Sequence, residues 1–120
     1  MIRRILIVED APQVAGILVS KLGREGHQVR WVRDGAHARQ ALAAEPADLV
    51  LLSTTLLPER NAWELLPELR ALCPMVVMLL EAEESALRDK ALGLGAADVI
   101  LKPFKPTVVA RQIRELPLPA

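Results

Sequence analysis

The sequence predicts a single doubly wound α/β domain over residues 1–120, with a parallel sheet covered by helices on both faces. Short apolar runs alternate with longer stretches in which apolar residues recur at helical spacing. The central run, Ala47–Thr54, has no polar alternation, so both faces of that strand must be covered. Apolar residues make up 52% of the chain, which suffices for the core of one domain.

Five short segments are predicted to be strands. Four of them are apolar runs typical of buried strands, whereas the second alternates more and carries more charge, which indicates an edge strand. In chain order they are Ile5–Val8, Val29–Arg33, Ala47–Thr54, Met75–Leu80 and Val99–Leu101.

A helix is predicted after each strand. Pro12 suits the first turn of the first helix, and Asp34 can cap the second. Pro67 lies inside the third, where a proline costs about 3 kcal/mol, so we expect this helix to be kinked or to start only near Pro67. The acidic residues Glu81, Glu83 and Glu84 suit the positive end of the fourth helix. The predicted buried faces are Val14, Ile17, Leu18 and Leu22; Ala38, Ala41 and Leu42; Trp63, Leu65, Leu66 and Leu69; Leu87, Ala91 and Leu94; and Val109, Ile113 and Leu116.

Composition argues against several classes of protein. The 15 basic residues balance the 15 acidic ones, and no basic cluster is paired with aromatic residues, so we expect no nucleic-acid binding. No stretch reaches the roughly 18 apolar residues of a membrane span. The amino terminus enters a strand pattern without a secretory signal, which predicts a cytoplasmic protein. Cys73 is the single cysteine, and it forms no metal-binding spacing with His27 or His37.

Five segments in order resemble the receiver domain of bacterial two-component response regulators, over essentially the whole chain. They are the acidic pair Glu9–Asp10, the strand Asp48–Leu52, the loop Leu57–Pro58 with Ala62–Leu66 after it, Gly95–Asp98, and Lys102–Phe104. The resemblance implies a flavodoxin-like receiver fold with sheet order 2-1-3-4-5 and a site at the carboxyl ends of strands one, three and five. It also implies a cis Lys102–Pro103 bond with the Lys102 ammonium near Asp10.

Three positions depart from the family's pattern. The phosphoacceptor aspartate is matched by Ser53, or by Thr54 if the loop Leu56–Asn61 has normal length rather than one extra residue. The hydroxyl residue that bonds the phosphoryl group is matched by Leu80, which cannot form a hydrogen bond, and the aromatic switch residue by Val99, which is too short. We therefore interpret the chain as a degenerate receiver that acts through protein contacts without aspartyl phosphorylation.

Glu9 and Asp10 remain from the family's acidic site, either as structural charges or as a weak Mg²⁺ site, and we expect no required cofactor. We expect Lys102 to neutralise one carboxylate and Ser53 to donate a hydrogen bond to the other. The alternative is control by a metal or small ligand in the pocket of Glu9, Asp10, Ser53 and Lys102. An outsider is a Ser-Lys hydrolase with Ser53 as nucleophile, for which no oxyanion hole is evident.

The resemblance implies a protein-binding surface over about residues 83–116, with a homodimer as one outcome. Its apolar residues Leu87, Leu94, Val108 and Leu116 lie among charged ones, a composition typical of an interface with a charged rim. As a complete protein the chain would be a stand-alone module; as a piece of a longer one, Pro117–Pro119 would suit the start of a linker.

Overall fold

A computed structural model describes residues 3–54 and 62–117. Its centre is a sheet of five parallel strands, in the spatial order β2-β1-β3-β4-β5. The strands are β1 (Arg4–Val8), β2 (Gln28–Val32), β3 (Leu49–Ser53), β4 (Val76–Leu80) and β5 (Asp98–Leu101). This order confirms the predicted doubly wound fold and puts β3 at the centre with β2 at one edge.

Helices connect the strands, as parallel neighbours require. They are α1 (Pro12–Arg24), α2 (Gly35–Ala44), α3 (Ala62–Leu72), a 3₁₀ helix (Ala82–Leu87) that leads into α4 (Arg88–Gly93), and α5 (Pro106–Glu115). The Asp34 carboxylate accepts a hydrogen bond from the His37 backbone N–H at 2.8 Å, which confirms the predicted cap of α2. None of the helices described here is long and apolar enough to cross a membrane.

Alternate residues of the strands face two apolar layers. Leu6 and Val8 of β1 pack with residues of α2 and α3, whereas Ile5 and Ile7 pack with residues of α1 and α5. Because both faces are covered, β3 and β4 are buried along their whole length. The carboxyl-terminal residues of these two strands, Ser53 and Leu80, are therefore enclosed by the core.

The fourth helix differs from the prediction. Its first part is the 3₁₀ helix, and of the predicted stripe only Ala91 is fully buried, whereas Leu87 is half-buried and Leu94 is 37% exposed. The α-helical part is short and ends at Gly93, so Leu94 lies beyond the last turn and Leu87 before the first, and the predicted stripe is not carried by one continuous α-helix.

The third helix also differs, because it already includes Ala62 and Pro67 lies inside it. The expectation that α3 starts only near Pro67 is therefore wrong. Pro67 is exposed, so its ring does not disturb the core. Ile17, predicted to be buried, is 47% exposed on α1. The predicted loop Leu56–Asn61 lies outside the described residues.

Candidate functional site

The candidate site lies at the carboxyl end of the sheet, where four strands deliver polar residues. Glu9 follows β1, Ser53 is the last residue of β3, Glu81 follows β4 and Lys102 follows β5. The Glu9 backbone N–H donates to the Val32 carbonyl at 3.1 Å, so the β1 pairing continues up to the site. Parallel strands that end at one edge bring together residues that lie far apart in the chain.

The Lys102 ammonium joins these residues. Its Nζ donates to Glu9 Oε1 at 2.8 Å, to Ser53 Oγ at 3.0 Å and to Glu81 Oε1 at 3.4 Å. We call these four residues the lysine cluster. An ammonium has three N–H groups, so these three acceptors use all of them. The Lys102 side chain is only 12% exposed, and its two ionic hydrogen bonds are stronger than neutral ones.

The partner of Lys102 is Glu9 rather than the predicted Asp10. The Glu9 side chain is fully buried, whereas Asp10 is half-buried at the turn into α1. Successive side chains of an extended segment point to opposite sides, so only one member of the pair can face the lysine. No hydrogen bond or ion pair joins the Asp10 side chain to another described residue. The predicted cis bond between Lys102 and Pro103 is present.

One oxygen of the buried Glu9 carboxylate lacks a partner. Glu9 Oε2 is buried and accepts no hydrogen bond from any described residue. No hydrogen bond joins Ser53 to Glu9 or Asp10 among the described residues, so the predicted donation is not observed; Ser53 Oγ instead accepts from the ammonium that also binds Glu9. Leaving a buried polar group without a hydrogen bond costs about 1–3 kcal/mol of folding free energy. The site therefore contains one carboxylate oxygen that is available to accept a further hydrogen bond.

Thr54 faces a different neighbour from Ser53. Its hydroxyl donates to Glu84 Oε1 at 2.6 Å, and the same oxygen accepts from the Glu81 backbone N–H at 2.9 Å. Since Glu81 also contacts Lys102, the contacts run without a break from the lysine cluster to Thr54. Ser53, and not Thr54, is the hydroxyl next to Lys102. Glu81 and Glu84 were not predicted as site residues, although their spacing is that of a capping box.

Leu80 and Val99, the two predicted switch positions, lie in the apolar interior. Leu80 is fully buried and Val99 is 6% exposed, both in the layer that includes α3 and α4 side chains. The Leu80 carbonyl accepts a hydrogen bond from the Lys102 backbone N–H at 2.8 Å. Leu80 therefore contributes its backbone to the position of Lys102, and its side chain packs in the core.

The residues of the cluster do not fit a divalent cation in this arrangement. Mg²⁺ prefers several oxygen ligands, mostly carboxylates, carbonyls and water. Among residues 3–54 and 62–117, no group of three His, Cys, Asp or Glu side chains is placed to hold a metal ion. The Lys102 ammonium lies 2.8 Å from Glu9, where it supplies the positive charge itself.

The predicted Ser-Lys pair is present as a contact, but Ser53 is fully buried. A nucleophilic serine needs room for a substrate carbonyl beside its oxygen and for oxyanion donors about 3 Å away. The enclosed Ser53 offers no such room, which argues against the hydrolase alternative.

Comparisons with known proteins agree with this architecture. The family model described as response regulator receiver domain matches residues 5–114. The transcriptional regulatory protein GltR of Pseudomonas aeruginosa is 36% identical over 118 residues, which cover 95% of this chain and 48% of GltR. The chain thus spans about half the length of this relative.

Two solved structures of receiver domains are also similar to this chain. The receiver domain of NtrX from Brucella abortus has a TM-score of 0.87 at 28% identity, with 93% of this chain and 96% of that one covered. The BeF3-activated N-terminal receiver domain of RstA from Klebsiella pneumoniae has a TM-score of 0.85 at 31% identity, with 94% and 97% covered.

Proposed function

Because the chain belongs to the response regulator receiver domain family, we propose that it is an atypical receiver, a signalling module that acts through protein contacts independently of aspartyl phosphorylation. The observation that carries this proposal is Ser53 at the end of β3, with its Oγ 3.0 Å from Lys102 Nζ. A carboxylate at this position would be ionised and ready to attack phosphorus. A serine hydroxyl is a weak nucleophile unless a base takes its proton, and the neighbouring Lys102 acts here as a donor.

Two further features support the same proposal. The Lys102 ammonium pairs with Glu9 and Glu81, so the chain itself supplies a positive charge at the acidic edge of the sheet. Leu80 offers no side-chain hydrogen bond to a phosphoryl group, and Val99 is too short to exchange between buried and exposed positions. A ligand can shift a conformational equilibrium only through contacts that differ between the two states, and these positions supply none.

The direct test is the intact mass of the protein after incubation with Mg²⁺ and acetyl phosphate. We expect no phosphoryl adduct on the parent chain, while a receiver with an aspartate acceptor, treated in parallel, gains one. A stoichiometric adduct that survives acid and maps to Ser53 would contradict the proposal, because a seryl phosphate is stable in acid and an aspartyl phosphate is not.

A second candidate function is control by a metal or small ligand at Glu9, Asp10, Ser53 and Lys102. The observation that favours it is the buried Glu9 Oε2, which accepts no hydrogen bond from the described residues. A magnesium titration followed by amide NMR separates the two candidates. Saturable shifts at Glu9, Asp10 and Ser53 at millimolar Mg²⁺ would favour this second function, and an unchanged spectrum favours the first.

We propose that partners bind through the face of α4, β5 and α5, within the predicted residues 83–116. Leu94 and Leu101 are exposed by 37% and 42%, and the ion pair between Arg88 and Asp98 lies in the same segment of the chain. Exposed apolar residues with a polar rim are typical of protein interfaces. If the partner is a second copy, replacing Leu94 and Leu101 by serine should shift the protein toward monomer in sedimentation velocity, whereas Leu72→Ser on α3 should not.

A further inference from the structure

An open cavity of about 470 Å³ lies beside the lysine cluster. Its walls come from α1, from the start of the 3₁₀ helix and from the segment after β5, and they include Val14, Ile17 and Phe104 on the apolar side and Glu81, Glu83 and Lys102 on the charged side. Small-molecule sites usually measure about 300–1,000 Å³ and combine apolar walls with a few polar groups. The cavity meets both conditions.

The apolar wall leaves hydrophobic surface open to a ligand. Ile17 is 47% exposed although its helix repeat would bury it, and it lines the cavity together with Val14 one turn before it. Phe104 packs from behind against the layer that contains α1 and α5, so its ring is held in place. An apolar group that enters the cavity would cover this surface and gain the free energy of burial.

The charges on the other wall favour a cationic group. Glu81 and Glu83 line the cavity and Glu9 lies behind it, so three carboxylates stand against the one ammonium of Lys102. The three N–H groups of Lys102 already donate to Glu9, Ser53 and Glu81, which leaves none for an anionic ligand. Glu83 is exposed at the rim, where its carboxylate can meet an incoming charge.

We propose that this cavity binds a small organic cation, an amine or guanidine attached to an aromatic or branched apolar group. The cation faces Glu81 and Glu83, and the apolar group covers Ile17 and Phe104. The site is separate from the pocket of Glu9, Asp10, Ser53 and Lys102 considered above, with which it shares only Lys102. The inference does not rest on the loss of phosphorylation, so either proposal can fail alone.

Binding at this site has a consequence for the lysine cluster. A bound cation competes with Lys102 for Glu81, whose contact with the ammonium is the longest of the three at 3.4 Å. Glu81 is also joined to Glu84 through the capping box of the 3₁₀ helix. A bound ligand is therefore expected to shift the amide signals of the 3₁₀ helix and of Thr54, as well as those of the residues that line the cavity.

The test is an amide NMR titration with phenethylamine, compared at equal ionic strength with 2-phenylethanol and phenylacetate. Only the amine should give saturable shifts at Ile17, Glu83 and Phe104, with a Kd on the order of millimolar, as suits a ligand of this size. Equal binding of the neutral alcohol, or the absence of saturable shifts with the amine, would overturn the inference.

Three variants locate the site. Ile17→Arg adds bulk and positive charge to the cavity and should abolish binding, while the matched change Leu72→Arg, at an equally exposed leucine on α3, should leave the Kd unchanged. Glu83→Gln should weaken binding roughly two- to fivefold, as expected for an exposed ion pair. Glu83 is exposed, so this variant keeps the test valid if Ile17→Arg does not fold. Parent-like binding by both Ile17→Arg and Glu83→Gln would place the amine elsewhere and overturn the inference.

Discussion

Lys102 is the residue on which the carboxyl edge of the sheet depends. It binds Glu9 just after β1, Ser53 at the end of β3 and Glu81 just after β4, so one side chain connects three strand ends. We predict that Lys102→Met lowers the free energy of unfolding by about 3 kcal/mol, because it leaves the Glu9 carboxylate buried without its counter-charge. Urea unfolding at neutral pH measures this change.

The control for this prediction is Lys105→Met, at an exposed lysine three residues later, which should change stability by less than about 0.5 kcal/mol. The double variant Lys102→Met with Glu9→Gln should recover part of the loss, because it removes the uncompensated charge as well. A Lys102→Met protein as stable as the parent would mean that the ammonium contributes nothing net to the cluster.

The residue at position 53 determines how many carboxylates lie together at the carboxyl edge of the sheet. We predict that Ser53→Asp creates Mg²⁺ affinity, because it adds a third carboxylate beside Glu9 and Glu81, which share the single ammonium of Lys102, and the added negative charge favours a divalent cation. A ligand that binds only the folded state adds about 2.7 kcal/mol at a hundredfold excess over its Kd. Thermal unfolding with and without Mg²⁺ measures the gain.

Without Mg²⁺ the order of the two melting temperatures should reverse. Ser53→Asp should then melt below the parent, because its carboxylates repel one another. Ser53→Ala serves as the matched control, since it changes the same position without adding charge. If the parent gains as much from millimolar Mg²⁺ as Ser53→Asp does, Glu9 and Asp10 already form a metal site, and the ligand-controlled function becomes the better proposal.

At the scale of elements, the hydroxyl of Thr54, the residue after β3, connects the end of this strand to the 3₁₀ helix. Thr54 Oγ1 donates to Glu84 Oε1 at 2.6 Å. Thr54→Val keeps the volume but removes the donor, and we predict a loss of about 1.5–3 kcal/mol, as for hydrogen bonds to charged groups. Hydrogen exchange of the amides of Ala82–Leu87 should quicken more than that of the sheet.

Ser85→Ala is the control for Thr54→Val, because the Ser85 side chain lies on the exposed side of the same 3₁₀ helix. It should leave the exchange rates of Ala82–Leu87 close to those of the parent. If Thr54→Val instead speeds exchange equally across the sheet and the helices, the bond to Glu84 stabilises the whole domain and does not hold the 3₁₀ helix in particular.

The difference between the predicted and the observed elements has a physical reason. The strands and α1, α2 and α5 could be predicted because their signals are local, namely an unbroken apolar run or a helical repeat. The 3₁₀ helix could not, because its course depends on contacts between Thr54 and Glu84, 30 residues apart, and between Glu81 and Lys102, 21 residues apart. The pairing of Lys102 with Glu9 rather than Asp10 likewise depends on which of the two side chains points inward.

At the scale of the whole molecule, the opposite end of the sheet contains a buried histidine that makes stability depend on pH. The backbone N–H of Arg3 donates to His27 Nδ1 at 3.1 Å. Burial, followed by the charge of nearby Arg3, lowers the pKa of His27 below its ordinary value of 6.5. Because the unfolded chain then binds the proton more readily, stability is complete above pH 6.5 and falls as the pH drops from there toward the lowered pKa.

A second acid-sensitive contact lies at the same end of the sheet. The Arg4 backbone N–H donates to Asp48 Oδ2 at 2.7 Å, and this hydrogen bond lowers the pKa of Asp48 from its ordinary value of 3.8. Its contribution is present above pH 3.8 and is lost as the pH falls through the lowered pKa. Stability should therefore decline in two steps, with His27 responsible for the step at higher pH.

We predict that His27→Asn removes the first step and keeps the second. The asparagine side-chain oxygen can still accept the hydrogen bond from Arg3, but it does not titrate, so stability should stay level until the carboxylates begin to protonate. Urea unfolding of both proteins at a series of pH values measures the two slopes. His37→Asn, at an exposed histidine, is the control and should keep the first step. If His27→Asn loses stability below pH 6.5 as steeply as the parent, another group binds the proton, and the burial of His27 is not what makes the fold acid-sensitive.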